Sequence, residues 1–284
     1  MSVINTNVNS LVAQTAVNVN ARSLSKAMEQ LSTGKRINSA SDDAAGMSIS
    51  QIMTSQIRGL NMAIRNANDG ISLLQTADGA MIEQSNMMQR MRELAVQAAS
   101  DTTTTSQKGY LQDEFAALRT EINRIGANTK WNDRSLLDGS GGIAGNVALA
   151  GSYRFQVGTL AGTTNNIDVA VPNATSVAGG IFAAIETDNI STGATTAITN
   201  LDTALAAGNS ARSKIGAAIN QLTYAADNLS NISMNTAASR SRIEDTDYAQ
   251  ASTELARTQI IQQAATAMLA QANQSPQSVL ALLK

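Results

Sequence analysis

Two groups of acidic residues have the types and spacing that most readily suggest chemistry. Asp42-Asp43 and the segment 244–247 (EDTD) offer carboxylate oxygens, which hard divalent cations prefer as ligands. Neither group has the spacing of a calcium-binding loop, and carboxylates at helix ends are commonly solvated. We therefore interpret both groups as helix-end carboxylates, with a cation site as the alternative.

Catalytic chemistry is restricted because the chain contains no cysteine and no histidine. Their absence excludes thiol nucleophiles, disulfides, iron–sulfur clusters, conventional zinc sites and Ser-His-Asp triads. The glycine-rich segment 139–142 lacks the spacing of a phosphate-binding loop and is more typical of a turn. We expect no enzyme activity, no cofactor and no metal.

The balance and distribution of charge limit the classes of partner that the chain could bind. The 20 basic residues are scattered among 22 acidic ones, whereas nucleic-acid binding needs clustered Lys and Arg. The apolar stretches are far shorter than the roughly 18 to 20 residues of a membrane span, and the N-terminus lacks the charged and apolar regions of a cleaved secretory signal. We expect no nucleic-acid partner, no membrane partner and no Sec export.

Helices must position the candidate residues. Aromatic residues are only 3% of the chain, which favours an elongated helical bundle, and Pro172 and Pro276 are the only prolines. We expect one long helix to begin at the N-capping cluster 39–43 and to run to about Ser100. Apolar residues at alternating steps of three and four predict three matching seams: Ile57-Leu60-Ile64-Ala67-Ile71-Leu74, Leu111-Phe115-Leu118-Ile122-Ile125 and Ile215-Ile219-Leu222-Ala226-Leu229.

The middle segment 139–200 is rich in Gly, Ala, Ser, Thr and Asn, and its helical periodicity fades. Within it, apolar and polar residues alternate in two runs, which is the pattern of half-buried strands. We predict a β-hairpin or small sheet from Tyr153, Phe155 and Val157 paired with Ile167, Val169 and Val171.

The two chain ends carry few charges. No charged residue precedes Arg22, and none lies between Arg257 and Lys284. A solvated amphipathic helix normally has a charged face, so these ends are predicted to be buried on several sides by other helices. We expect them to be disordered in the isolated monomer and to fold when copies surround them. Their apolar stripes are Leu24, Met28 and Leu31, and Ile261, Ala265, Met268 and Ala272.

The terminal segments also carry a family signature. LSTGKRINSASDDAAGMSIS (residues 31–50) and the whole stretch 241–284 closely resemble the paired terminal signatures of bacterial flagellin, as do MQRMRELAVQAAS (88–100) and NDRSLLDG (132–139). The resemblance covers about three-quarters of the chain. It implies a structural protein that self-assembles into the hollow helical filament of the flagellum, in a short form with little or no outer domain.

The resemblance implies a domain organisation. Residues 1–40 with 248–284 would form the terminal antiparallel coiled coil inside the filament, and 41–247 the adjoining helical bundle, with 139–200 as its variable hairpin and surface segment. The expected fold class is therefore mainly α. A hook–filament junction protein is the near alternative, and a helical signalling module of the chemoreceptor type is a less favoured one.

Family members are exported unfolded through the flagellum's own type III apparatus. The implied partners are other copies of the chain, the flagellar cap and hook-associated proteins, an export chaperone, and the host Toll-like receptor that senses flagellin. The resemblance implies that this receptor recognises a surface that also serves contacts between subunits, with Arg90 as the main anchor. The surface consists of Gln89, Arg90, Glu93, Leu94, Gln97 and Glu114.

Two further sets of residues follow from the same resemblance. Gly34 and Gly46 lie between the terminal helix and the long helix, and we interpret them either as a hinge or as a helix cap with its loop. The terminal leucines Leu280, Leu282 and Leu283 resemble those that pack in the wall of the filament lumen.

Overall fold

A computed structural model describes residues 7–140, 151–160, 162–176 and 179–281, in which helix predominates. The chain divides into a terminal unit, residues 1–57 with 234–284, and a middle unit, residues 58–233. The predicted mainly α fold class is confirmed. The five long helices are α1 (Val8–Thr33), α2 (Ala44–Ala98), α3 (Thr105–Asn128), α4 (Ile190–Glu244) and α5 (Tyr248–Ala281).

The terminal unit contains an antiparallel pair of helices, α1 and α5. Asn7 donates from Nδ2 to the carbonyl of Ala272 at 2.8 Å, while the Tyr248 hydroxyl, near the other end of the pair, donates to the carbonyl of Leu31 at 3.4 Å. The start of α1 therefore lies beside the later part of α5. This arrangement confirms the predicted terminal antiparallel coiled coil.

Local hydrogen bonds account for the ends of the helices. Asp43 accepts from the backbone N–H of Gly46 at 2.8 Å, so α2 begins at the predicted acidic cluster. Thr104 and Gln107 form a reciprocal capping box at the start of α3. Gly34 ends α1 in the left-handed conformation, with a φ of 72°.

The middle unit is built on segments of α2, α3 and α4, whose predicted seams face its core. Leu74, Ile122, Ile215 and Leu222 are fully buried, and the intervening seam positions are at least half-buried. A buried amide, Gln84, links the elements by donating to the carbonyls of Ile122 and Ala174. The largest fully buried side chains are Phe115, Phe182, Leu74, Met81, Met88, Met91, Leu94, Ile122, Leu136, Leu137, Ile185 and Ile190.

The predicted hairpin is present as β3 (Ser152–Gln156) and β4 (Asn166–Ala170), paired antiparallel with Tyr153 opposite Val169. Its Phe155 ring packs against Gly70 of α2, where an added Cβ would lie 2.8 Å from the ring. Sequence reasoning missed a second, shorter pair, β1 (Lys130–Trp131) and β2 (Arg134–Ser135). Its tight turn places Asn132 and Asp133 at positive φ.

Part of the segment 139–200 is neither surface nor irregular. The helical stretch α4 begins at Ile190, which is buried and donates its N–H to the Gln112 side chain at 2.8 Å, and it is kinked at Gly193, whose φ of −137° is non-helical. Phe182 and Ile185, in the preceding segment, belong to the core. No helix within the described ranges has the length and apolar character needed to cross a bilayer.

Candidate assembly surfaces

The α1–α5 pair has a narrow inward seam. Asn20, Ala27, Ala251 and Thr258 are its most buried residues, and each is less than a tenth exposed. The remaining seam positions are half-buried: Ala13, Val17, Leu24 and Leu31 on α1, and Leu255, Gln262, Ala265, Leu269 and Ala272 on α5. Because small and polar side chains occupy much of the seam, the pair buries little apolar surface by itself.

The predicted terminal stripes divide between this seam and solvent. Leu24, Leu31, Ala265 and Ala272 lie in the seam. In contrast, Met28, Ile261 and Met268 are exposed in the isolated chain, with Met268 at 66%. The seam occupies only one side of each helix, so it cannot cover them. The predicted terminal leucines lie outside what the structure describes: Leu282 and Leu283, and the side chain of Leu280.

Beside the seam lies an apolar surface that we call the terminal groove. It consists of two adjoining depressions of about 740 and 640 Å³, both lined by α1 and α5. Val12, Ala16 and Ile261 line both depressions, so the surface is continuous. The larger depression has the Glu254–Arg257 ion pair in its wall, and the smaller is lined by uncharged residues. A contiguous exposed apolar surface of this kind marks an interaction site.

The link between α1 and α2 is tied to the end of α4 within the terminal unit. Glu244 receives the Lys35 ammonium at 2.5 Å and the Ser50 hydroxyl at 2.6 Å, and its backbone carbonyl accepts the Arg36 N–H at 2.7 Å. The hydrogen bond from Lys35, followed by that from Ser50, holds the pKa of Glu244 below its ordinary value. We call this set of contacts the terminal junction.

Asp42 strengthens the same link. It pairs with Lys26 at 2.8 Å and accepts from the backbone N–H groups of Asn38 and Ser39. The contact with Lys26, then those with Ser39, lowers the pKa of Asp42 far below its ordinary value. Within the described residues, no three acidic side chains gather in a group that could hold a metal ion. Asp42, Asp43 and Glu244 thus make the contacts of helix-end carboxylates, accepting from backbone N–H groups or from side chains beside the helix ends.

Both hinge candidates lie at this link and have packing roles. Gly34 is the left-handed cap of α1, and an added Cβ would lie 3.2 Å from the Tyr248 hydroxyl. Gly46 lies in the first turn of α2, where an added Cβ would lie 2.7 Å from the Cδ1 atom of Ile37. The cap interpretation accounts for Gly34, and a hinge motion at either position stays a prediction.

In the middle unit, Arg90 joins α2 to α3. Its Nε donates to Glu114 at 2.9 Å and its Nη1 donates to Glu93 at 3.0 Å. These two carboxylates, Glu114 foremost, raise the pKa of Arg90. The three side chains are all well exposed, so the ion pairs can rearrange at little cost.

The other predicted members of this surface differ in exposure. Gln89 and Gln97 are exposed and, together with Glu93, line a shallow depression of about 510 Å³ on α2. Leu94 is only 1% exposed and packs in the core of the middle unit. The surface therefore consists of the five polar residues, with Leu94 supporting them from beneath. Sequence reasoning missed Arg92, which is paired with Asp202 of α4 at 2.6 Å.

Comparisons with known proteins match nearly the whole chain. The family model for the bacterial flagellin N-terminal helical region matches residues 4–142, and that for the bacterial flagellin C-terminal helical region matches residues 198–283. A curated flagellin of Halalkalibacterium halodurans is 43% identical over 282 residues, which cover 99% of this chain and 100% of the relative.

The chain is also similar to a longer relative and to a solved structure. Flagellin B of Vibrio cholerae is 36% identical over 371 aligned positions, covering 99% of each chain, so it contains segments that these 284 residues lack. The crystal structure of Bacillus cereus flagellin aligns with 58% of this chain and 88% of its own, at 29% identity and a TM-score of 0.47.

Proposed function

This chain belongs to the bacterial flagellin family and is a structural subunit of the flagellar filament, and from that premise we propose how its surfaces serve assembly. Flagellin subunits polymerise with one another into an extracellular filament. Residues 1–40 and 248–284 form the assembly domain inside the hollow filament, and residues 41–247 form the adjoining domain. Within the latter, the segment 139–200 carries the outward-facing part.

The terminal groove is the observation that carries this proposal. Val8, Val12, Val19, Ile261 and Met268 expose large apolar side chains in the isolated chain. Removing them from water against helices of neighbouring subunits releases roughly 1.5 to 3 kcal/mol for each fully buried side chain. Polymerisation supplies these neighbours, and a soluble monomer does not.

The composition of the seam supports coupling between folding and assembly. Asn20, Ala27, Ala251 and Thr258 contribute few large apolar groups to the contact between α1 and α5. Ordering each residue costs about 1.5 kcal/mol, which such a thin seam does not offset. The terminal helices are therefore disordered in dilute monomer and become stable when the groove is covered.

Export and tip assembly follow from family membership. We propose that the chain leaves the cell unfolded through the flagellar type III apparatus with the help of an export chaperone. It then adds to the filament tip beneath a cap protein, and hook-associated proteins join the filament to the hook. The absence of cysteine fits a chain that must stay unfolded during export, since no disulfide can form.

Seeded polymerisation tests the assembly proposal. Full-length protein and variants lacking residues 1–40, residues 248–284, or both are incubated with short filament fragments and viewed by electron microscopy. Only the full-length chain should form long tubular filaments. A variant lacking residues 145–149 is the matched control and should polymerise. A full-length chain that stays monomeric with seeds, or a doubly truncated chain that polymerises, contradicts the proposal.

We also propose that the exposed polar surface around Arg90 contacts a neighbouring subunit in the filament and, in the monomer, the host Toll-like receptor for flagellin. Its charges are held by exposed ion pairs that a partner can replace. Receptor activation by monomeric protein should fall at least about tenfold in Arg90→Ala. Arg124→Ala is the control, because Arg124 makes a similar exposed pair with Glu121. Unchanged activation by Arg90→Ala contradicts the receptor role.

A further inference from the structure

The α1–α5 seam contains one buried polar level in an otherwise apolar repeat; a second polar contact across the pair, from the Ser10 hydroxyl to Asn273 Oδ1 at 2.8 Å, is exposed and lies at the start of α1. On α1, every seventh residue is Ala13, Asn20 and Ala27 in one row and Val17, Leu24 and Leu31 in the other. On α5, the rows are Ala251, Thr258, Ala265 and Ala272, and Leu255, Gln262 and Leu269. Over these rows, Asn20, Thr258 and Gln262 are the polar positions in a pattern that otherwise repeats each heptad; one heptad before Val17 the second row reaches Ser10, in the first turn of α1.

These three polar residues meet in the structure. Asn20 Nδ2 donates to the backbone carbonyl of Thr258 at 2.8 Å and to Gln262 Oε1 at 2.9 Å, so both amide hydrogens are used. Asn20 is 7% exposed and Thr258 is 2% exposed. The Thr258 hydroxyl bonds back to carbonyls of its own helix, those of Glu254 and Leu255. The polar level is therefore satisfied within the pair.

The apolar part of the seam cannot by itself define the alignment. If α5 slides by one heptad, about 10 Å along the axis, its alanine-rich row and its leucine-rich row still face the two rows of α1. Asn20 could also find a backbone carbonyl acceptor in any of these alignments, because carbonyls recur at every level of α5. The side-chain acceptor of Gln262 does not recur, so a shifted pair leaves Asn20 facing Ala251–Leu255 or Ala265–Leu269, and buries Gln262 against apolar residues.

We propose that the Asn20–Gln262 contact determines the register of the α1–α5 coiled coil. A single buried polar pair that is satisfied in one alignment is a known means of defining register. Its consequence for assembly rests on the proposed function, because both helices line the terminal groove. A slip of one heptad would separate Val12 from Ile261 and alter the groove that neighbouring subunits would bind.

Engineered disulfides can report the register, since the chain has no native cysteine. The native reporter carries Ala13→Cys with Ala265→Cys, and the shifted reporter carries Ala13→Cys with Ala272→Cys, one heptad further along α5. A disulfide needs Cβ atoms about 3.5 to 4.5 Å apart, which distinguishes the two alignments. After oxidation, intramolecular product is measured on non-reducing gels in both the assembled and the unassembled fraction. In the unassembled fraction the disulfide traps the helices when they pair transiently, so a variant that does not polymerise still reports which alignment it prefers.

In the otherwise unsubstituted chain, the native reporter should give most of the intramolecular product. Asn20→Leu should raise the ratio of shifted to native product by about tenfold, the change expected for losing a hydrogen-bonded buried amide. The matched control is Asn18→Leu, an exposed position on the same helix, which should leave the ratio unchanged. An unchanged ratio in Asn20→Leu overturns the proposal.

A double variant separates register from stability. Asn20→Leu with Gln262→Leu restores an apolar seam, so helix content measured by circular dichroism should be at least that of the unsubstituted chain while the shifted product persists. A purely structural role predicts instead that the native product returns. If the native reporter cross-links but no filaments form, the assembly proposal fails and the register proposal stands. If filaments form and Asn20→Leu leaves the ratio of shifted to native product unchanged, the register proposal fails and the assembly proposal stands.

Discussion

Replacing Met268 by glutamine tests whether assembly buries the terminal groove. Met268 is 66% exposed and lies in the groove wall. Full burial of a methionine is worth about 1.5 to 3 kcal/mol, so the part still exposed represents about 1 to 2 kcal/mol for each added subunit. Glutamine has a similar length and helix propensity but forgoes this gain.

The critical concentration for polymerisation measures this loss directly. Since 1.4 kcal/mol is a factor of ten in an equilibrium constant, Met268→Gln should raise the critical concentration by about 5- to 30-fold. Seeded samples are brought to a plateau and sedimented, and the protein that remains in the supernatant is quantified. Circular dichroism of the monomer should not change, because the terminal helices are disordered in dilute monomer and Met268 has no packing partner to lose.

Met268→Leu is the matched control, since it keeps the apolar area and should shift the critical concentration far less than Met268→Gln does. If Met268→Gln polymerises at the same critical concentration as the unsubstituted chain, the groove around this residue is not buried between subunits. Met268 would then not contact a neighbouring subunit in the filament.

Two other contacts give predictions. Hydrogen bonds, foremost from Lys35, lower the pKa of Glu244 in the folded state. The ionised Glu244 therefore stabilises the fold at pH values above the ordinary glutamate pKa of about 4.3, and this contribution is lost as the pH falls through the lower pKa of the folded state. The protection factor for hydrogen exchange in the segment joining α1 to α2, which corrects for the intrinsic pH dependence of exchange, should therefore fall progressively below about pH 4.5. Glu244→Gln should show a low protection factor already at pH 7, with little further change. Gly70→Ala should destabilise the middle unit by about 1 to 3 kcal/mol in thermal unfolding, because the new Cβ meets the Phe155 ring. Gly79→Ala, on the same helix with open space around it, should instead stabilise by about 0.5 to 1 kcal/mol; equal effects of the two substitutions would refute the packing argument.

Several features could be predicted because they depend on neighbours in sequence. The beginning of α2 follows from Asp43, whose side chain bonds to a backbone N–H three residues later. The strands β3 and β4 follow from alternation over a few residues, and they pair antiparallel as neighbours in sequence. The heptad spacing of Leu74 and similar residues likewise defines which side of a helix faces the core.

The candidate surfaces were only partly predictable. Arg90 and Glu114 were assigned to one surface from a family resemblance, and the structure places them in contact across two helices. Leu94 was assigned to the same surface, but the structure buries it in the core. Residues three or four apart share a helix face only approximately, so a position at its edge can point either way until the neighbouring helix is placed.

The sequence by itself determined that this chain forms long helices with sparsely charged ends and a small hairpin, because periodicity, caps and composition act locally. Tertiary structure alone decided which apolar stripe of each terminal helix became the seam and which stayed exposed. Leu24 and Met28 have similar hydrophobicity, yet only Leu24 lies in the seam, since Asn20 bonds to α5 beside it. Long-range partners choose between stripes that local propensity leaves equivalent.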